Sequence, residues 1–337
     1  MSARPKLESL LLVVLLACAA AASGARAAEA DLSRPGAGGP PTPVRVNLYL
    51  AGLYEISGAD QTFLADVVVQ AEWQDPRLAG DWSGLRGMDL DKIWSPRLQL
   101  VNQRGVSASL PQRVEVDSSG QVRYRQRWWG RFSARLDLRD FPLDRHQFDV
   151  QVISMGYSRD EIDLIPSPER SGRAPRLSVT DWEVGPARIE AADFEPGPGL
   201  KRQAGVHLAW ECSRYFAYYA VQVILPLILI VLMGWTALWV EPSVVTTRMS
   251  VAVTTMLTLI AYRFALGRLV PNLTYLTRFD YFMLGSTIMI FLMLLAVAAS
   301  AYLVGTDRRP LALRIDRWLR PGFCVLFAAV LLLSWWR

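Results

Sequence analysis

The chain is poor in the residues that build catalytic and metal centres. Its 337 residues include two histidines, His146 and His207, and three cysteines, Cys18, Cys212 and Cys324. The cysteines fall in an N-terminal apolar run, at the edge of a second apolar region and in the last apolar run, so no pair is placed to staple an exported domain. No His, Cys, Asp or Glu spacing fits a metal. There is no phosphate loop, no nucleophile elbow and no histidine beside a recognisable nucleophile. An enzyme is not expected, and no cofactor is called for. Asp137, Asp140 and Asp144 cluster near a turn and read as solvated loop carboxylates. The spans described below carry no internal repeat and no charged pair at mid-depth, which argues against a transporter. The net charge of +5 comes largely from arginine. Much of that arginine flanks apolar runs, so it speaks for membrane orientation and not for nucleic acid.

Hydrophobic residues make up 52% of the chain and are unevenly distributed. Arg4 and Lys6, an apolar run from Leu10 to Ala22 and the small residues around Ala25–Ala27 read as a secretory signal peptide over residues 1–28. Residues 29–41 are rich in Pro and Gly and read as a flexible lead-in. From 42 to 213, short runs of period-2 alternation recur between turn residues: Val44–Leu50, Thr62–Trp73, Arg97–Asn102, Arg113–Val116, Val122–Arg127, Arg131–Leu138, Gln147–Ile153, Ile162–Ile165, Trp182–Ile189 and Val206–Glu211. Such spacing predicts an all-β sandwich. Asp117-Ser118-Ser119-Gly120 reads as a hairpin turn, and a helical turn is expected only near Gly84–Leu90. Residues 214–337 read as a four-helix transmembrane bundle, with spans at about 215–240, 243–264, 279–304 and 321–336. Arg308, Arg309, Arg314, Arg317 and Arg320 lie between the last two spans. They place that loop in the cytoplasm and the β domain outside, the orientation a signal peptide also demands.

The second span, SVVTTRMSVAVTTMLTLIAYRF, differs from its neighbours. Long enough at about 30 Å to cross a bilayer, it is studded with hydroxyls. At alternating spacings of four and three it presents Ser250, Thr254, Leu257, Ala261 and Phe264, with Arg248 just below. Hydroxyls below an apolar stripe suit a pore that replaces hydration and gates by dewetting. They also suit Ser and Thr acting as glue between packed helices.

The run Asp137-Leu138-Arg139-Asp140-Phe141-Pro142-Leu143-Asp144 resembles the signature loop of the pentameric ligand-gated ion channels, the Cys-loop receptor superfamily. Ala134 and Phe148 stand where animal members carry the two bracketing cysteines, as in prokaryotic relatives. Trp73-Gln74-Asp75-Pro76-Arg77-Leu78, Ile93-Trp94-Ser95-Pro96 with Asn102, and Gly156–Ile162 resemble further family motifs in the family's order. Val253–Thr258 is similar to the second span of glycine and GABA receptors. The short loop between the third and fourth spans lacks the large insert of animal receptors.

That resemblance implies an extracellular ligand-gated channel in the inner (plasma) membrane, assembled as a homopentamer in the lipid bilayer and passing inorganic ions. It implies a small-molecule or ionic ligand held between subunits. The positions it assigns to the ligand are Arg97, Met155, Tyr157 and Phe194, with Tyr124 on the neighbouring face. Met155 and Val68 replace expected cage members, which disfavours an acetylcholine-like amine; Arg97 and the alternating Arg123, Arg125 and Arg127 read first as a solvated basic strand face, and otherwise as charge offered to a carboxylate. It assigns coupling between domains to Asp60, Phe141, Pro142, Asp144, Arg214 and Pro271. It makes Leu257 the gate, with Arg248, Ser250, Thr254, Ala261 and Phe264 lining the pore and Arg268 at the outer mouth. Basic rings favour anions, so Arg248, Arg263 and Arg268 lean the expectation that way. A cation-selective channel and a non-conducting membrane sensor remain the alternatives.

Overall fold

A computed structural model describes residues 32–266 and 274–336. The signal peptide, the first lead-in residues, Arg268 and Pro271 lie outside those residues. Two stacked β-sheets are followed by four long helices.

The strands are β1 (Thr42–Ser57), β2 (Thr62–Gln74), β3 (Arg86–Asp89), β4 (Leu98–Leu100), β5 (Gln103–Ala108), β6 (Arg113–Val116), β7 (Gln121–Ser133), β8 (Arg145–Ser154), β9 (Ile162–Pro166), β10 (Gly172–Arg173), β11 (Trp182–Val184), β12 (Arg188–Ala191) and β13 (Gly205–Arg214). One sheet runs β10-β1-β2-β7-β6-β3, with β5 on β7 and β9 on β1; the other runs β11-β13-β8-β4, with β12 on β13. Alternation decides which face each strand buries. On β2 the buried hydrophobic side chains are Phe63, Ala65, Val67, Val69, Ala71 and Trp73; on β13 they are Val206, Leu208, Trp210 and Cys212.

Between the sheets, Phe63 sits 5.3 Å from both Phe132 and Phe148, and Phe148 lies 6.2 Å from Trp210 and 6.3 Å from Trp182. Burial of each such ring is worth about 1.5–3 kcal/mol, and each aromatic pair about 0.5–1.5 more. Aromatic packing thus centres on Phe148, a position where the resemblance places a cysteine in animal relatives. Cys212 is a free thiol in this core, pushed up to about 12 by burial.

The predicted turn at Asp117 forms: Asp117 Oδ1 accepts from the backbone N–H of Ser119 and Gln121, and Gly120 adopts a φ of 84°. Other expectations fail, among them a single run over Trp182–Ile189, which divides into β11 and β12. Gly84–Leu90 contains β3, followed by a 3-10 turn at Leu90–Lys92, because β3 pairs with β6 and tertiary pairing overrides local signals. Arg131–Leu138 is no separate strand; its first residues extend β7 along β2, and the rest becomes loop. In the described part of the lead-in, Arg34 Nη1 donates to Thr42 Oγ1 at 2.9 Å and Arg77 Nη2 to the Ser33 carbonyl at 2.9 Å.

The helices are α1 (Phe216–Thr236), α2 (Val245–Leu266), α3 (Arg278–Gly305) and α4 (Arg309–Trp336). A wide π turn at Ala220–Ile224 precedes Pro226 in α1, whose ring leaves the helix one N–H donor short. The Thr277 hydroxyl and the Asp280 carboxylate cap α3 reciprocally. Gly285 lets α3 and α4 close up, since a Cβ there would lie 2.6 Å from Val330 Cγ1. Helix α4 starts well before the expected position 321. Pro321 sits inside it, and the arginine-rich stretch is itself helical, with Ala312 and Asp316 turned inward.

Candidate ligand cleft, domain junction and pore face

Short loops on one flank of the sandwich form a cleft of about 600 Å³. Its wall includes Met155, Tyr157, Phe194, Leu200 and Lys201. Trp94 Nε1 donates to the Tyr157 hydroxyl at 2.9 Å, which fixes that ring, and the Arg97 guanidinium lies 5.7 Å from its centre. Arg97 has a φ of 48°, and its carbonyl accepts from Met155 N at 3.0 Å. A non-glycine residue in that region is strained and is held there by its surroundings. Phe194 is fixed by two backbone bonds to Gln203, each 2.9 Å, across the Pro/Gly-rich hairpin. Four of the five predicted ligand residues therefore gather around one cleft.

Tyr124 does not join them. It lines a separate cleft of about 410 Å³ on the other sheet, with Arg113, Arg123 and Arg125. Burial raises the pKa of its phenol. The three alternating arginines are not equally available there. Arg127 is paired with Asp66, donating from Nε at 2.9 Å. Arg123 faces Glu72 across the strands, and Arg125 Nε reaches the Gln70 amide oxygen at 2.7 Å once that amide is turned to accept.

At the other end of the sandwich, the signature loop presses onto the helices. Arg214, the last residue of β13, donates from Nε to Asp144 Oδ1 at 2.9 Å and Oδ2 at 3.0 Å, and from Nη1 to the Tyr219 hydroxyl at 3.0 Å. Its guanidinium lies 4.1 Å from the Trp182 ring centre and 5.1 Å from that of Phe141. His146 Nε2 donates to Asp144 Oδ2 at 2.7 Å, since an ionised carboxylate only accepts. Burial alone would raise the Asp144 pKa, but the His146 hydrogen bond and the Arg214 charge outweigh it and hold the group below the usual carboxylate value. Asp144 is therefore a buried anion, not the solvated loop carboxylate its sequence neighbourhood suggested. Phe141 packs on Tyr219 at 5.2 Å and on Phe279 at 6.2 Å, with buried Pro142 beside it. Asp140 accepts from Arg278 Nε at 2.7 Å, and the Tyr275 hydroxyl accepts from Leu138 N at 3.0 Å. Asp60 stays in its own turn, accepting from Ser57 Oγ at 2.8 Å. Sequence reasoning missed His146, Trp182 and the Asp140–Arg278 pair. His146 alone gave a signal, lying on the same strand side as Asp144.

Helix α2 packs against α1 and α3 through Ala252, Thr255 and Leu259. Its opposite face is open: Ser250, Thr254 and Ala261 are exposed, as are Leu257 at 61% and Phe264 at 80%. Arg248 departs from expectation. It is 2% exposed and points into the subunit, where Asp316 of α4 accepts from Nη1 at 2.7 Å and from Nη2 at 3.1 Å. The helical period explains this: Leu257 follows Arg248 by nine residues, which at about 100° each puts them on opposite faces. Arg248 does not line the face that carries Leu257. Arg263 is exposed near the end of α2. Asp316 was also missed, although it is the one acid in α4 and a lone acid in a membrane helix calls for a partner.

Residues 30–185 match the family model of the neurotransmitter-gated ion-channel ligand binding domain. Four helices long and apolar enough to cross a membrane follow that region. A β-sandwich that matches this ligand-binding family, set on four helices of membrane-spanning length, supports a pentameric ligand-gated ion channel, a multi-pass and non-enzymatic membrane protein.

Proposed function

We propose that five copies of this chain form a homopentameric channel in the plasma (inner) membrane. The β domain (42–213) lies outside, behind a cleaved leader, and the membrane domain (214–337) carries the pore. Helix α2 lines that pore, Leu257 is its gate, and Ser250 and Thr254 line its inner half. The observation carrying this reading is the open stripe on α2: five residues at helical spacing face away from the subunit core, hydroxylated below and apolar above. In water such a stripe would be a liability; around a five-fold axis it becomes a wettable conduit closed by an apolar ring.

The ligand site is formed between subunits, from the cleft around Met155, Tyr157 and Phe194 on one side and the Tyr124 cleft of the next subunit on the other. Binding draws in the Phe194 hairpin. The motion reaches the helices through Arg214–Asp144 and Arg278–Asp140, where the β domain grips the start of α1 and α3, and the α2 helices tilt. Such a ligand must bind the open arrangement better than the closed one, because only differential affinity shifts the equilibrium.

The channel favours anions. No carboxylate occurs from Pro242 to Phe279, a stretch spanning α2 and both of its flanks, whereas Arg263 and Arg268 lie towards the outer end. With Arg248 turned inward, the preference rests on those two outer arginines and on the absence of an acidic ring. Glu241 is the nearest acid and would favour a cation channel, but it is paired with Arg309. The test is the reversal potential in a chloride gradient, with and without Arg263→Gln. Loss of the chloride preference in the variant supports the anion assignment, and reversal at the cation potential in the parent refutes it.

A further inference from the structure

Arg248 and Asp316 form a forked ion pair sealed inside the subunit, with side chains 2% and 1% exposed. Among the described residues, the only other polar contact of the guanidinium is Ser300 Oγ of α3, 3.3 Å from Nη1, and Nε has no partner. Asp316 is therefore nearly the whole of what holds this cation. The two charges sit on helices with different surroundings: α2 carries the open stripe, whereas α4 packs chiefly on α3 and leaves Leu313, Arg314, Arg317 and Trp318 exposed. Thr246 and Thr247, next to Arg248, are exposed at the inner end of the stripe, so water in a pore would come within one residue of the pair.

A buried cation without its partner is costly and moves towards water when its stem allows. For Arg248 the nearest water is the inner mouth beside Thr247. We propose that Asp316, on α4, is a remote determinant of ion selection: by binding Arg248 it keeps a ring of five cations out of the inner mouth. The inference rests on α2 lining the pore. Asp316 acts here as a positioning residue, working through Arg248 and touching no ion.

The experiment uses full-length protein reconstituted in liposomes, in a Leu257→Thr background so that current flows without a known ligand. The chloride-to-potassium permeability ratio is read from the reversal potential in a KCl gradient. Asp316→Asn should raise the ratio by about threefold or more, because a freed basic ring concentrates anions at the mouth. Arg248→Gln and the double variant Arg248→Gln/Asp316→Asn should both keep the parent ratio, since in neither can a cation be released. A drop in the ratio with Arg248→Gln alone would overturn the proposal, because Arg248 would then already face the ions. So would an Asp316→Asn channel that conducts with an unchanged ratio. If Asp316→Asn fails to assemble, a double variant that assembles with the parent ratio supports Asp316 acting through Arg248, and one that fails as well overturns it. Absence of current in the Leu257→Thr parent would bring down the pore assignment and this inference with it. A conducting parent with no effect of Asp316 would bring down the inference alone.

Discussion

Removing the Asp144 charge tests the domain junction most sharply. Asp144→Asn keeps the shape of the side chain but leaves the Arg214 guanidinium buried, with the Tyr219 hydroxyl at 3.0 Å and Asp181 at 4.0 Å as its remaining polar contacts. Breaking one side of a buried pair costs about 3–5 kcal/mol, mostly for the charge left behind. At about 2–4 °C per kcal/mol for a unit of this size, the apparent melting temperature of the detergent-solubilised chain should fall by about 6–20 °C. Trp182, under the guanidinium, makes tryptophan fluorescence a suitable reporter. Arg214→Gln should cost about 1–2 kcal/mol more, because it also removes the contacts with the Trp182 and Phe141 rings. The double variant should recover part of the loss, since neither charge is then left alone. A shift below about 2 °C for Asp144→Asn, or strictly additive losses, would refute the view that this pair ties the sandwich to the helices.

The pKa shift gives the same pair a pH signature. An acid held below its unfolded value contributes stability above about pH 4 that is lost as pH falls through its lower folded value, so acid melting below pH 4 should be steeper in the parent than in Asp144→Asn. Phe148→Ala should destabilise the β domain by about 3–5 kcal/mol, read as a lower denaturation midpoint, because it empties the centre of the aromatic cluster. Cys212, buried and with its thiol raised to about 12, should resist iodoacetamide at pH 8 in the folded protein and react on unfolding; rapid native labelling would contradict the packing around β13.

What could be read in the sequence was whatever depends on neighbours along the chain. Alternation on β2 and β13 and the turn at Asp117 gave the sandwich, and the spacing from Ser250 to Phe264 gave the open face of α2. What could not be read depends on partners far away. Arg248 passed for a pore charge until Asp316, 68 positions on, was seen to face it. From its neighbours Asp144 read as a loop carboxylate, because Arg214 is 70 positions away; only the family resemblance set both at the domain junction. The start of α4 was hidden by composition: arginines read as loop and Pro321 as a helix start, although a proline inside a membrane helix is tolerated when neighbours satisfy the freed backbone. Trp235 Nε1 donates to the Arg320 carbonyl at 3.1 Å, which ties α1 to α4 just before that proline. The candidate ligand residues divide between two clefts, with Arg97, Met155, Tyr157 and Phe194 gathered by short loops around one and Tyr124 in the other.

The most direct test of the central claim is current through liposomes or oocyte membranes bearing the full chain, compared between the parent and Leu257→Thr. If Leu257 forms an apolar gate, wetting it with a hydroxyl should open the channel, giving a standing current that reverses near the chloride potential. A Leu257→Thr protein that reaches the surface as a pentamer and carries no current, across a broad panel of ligands and pH, would contradict the claim that α2 lines a conducting pore.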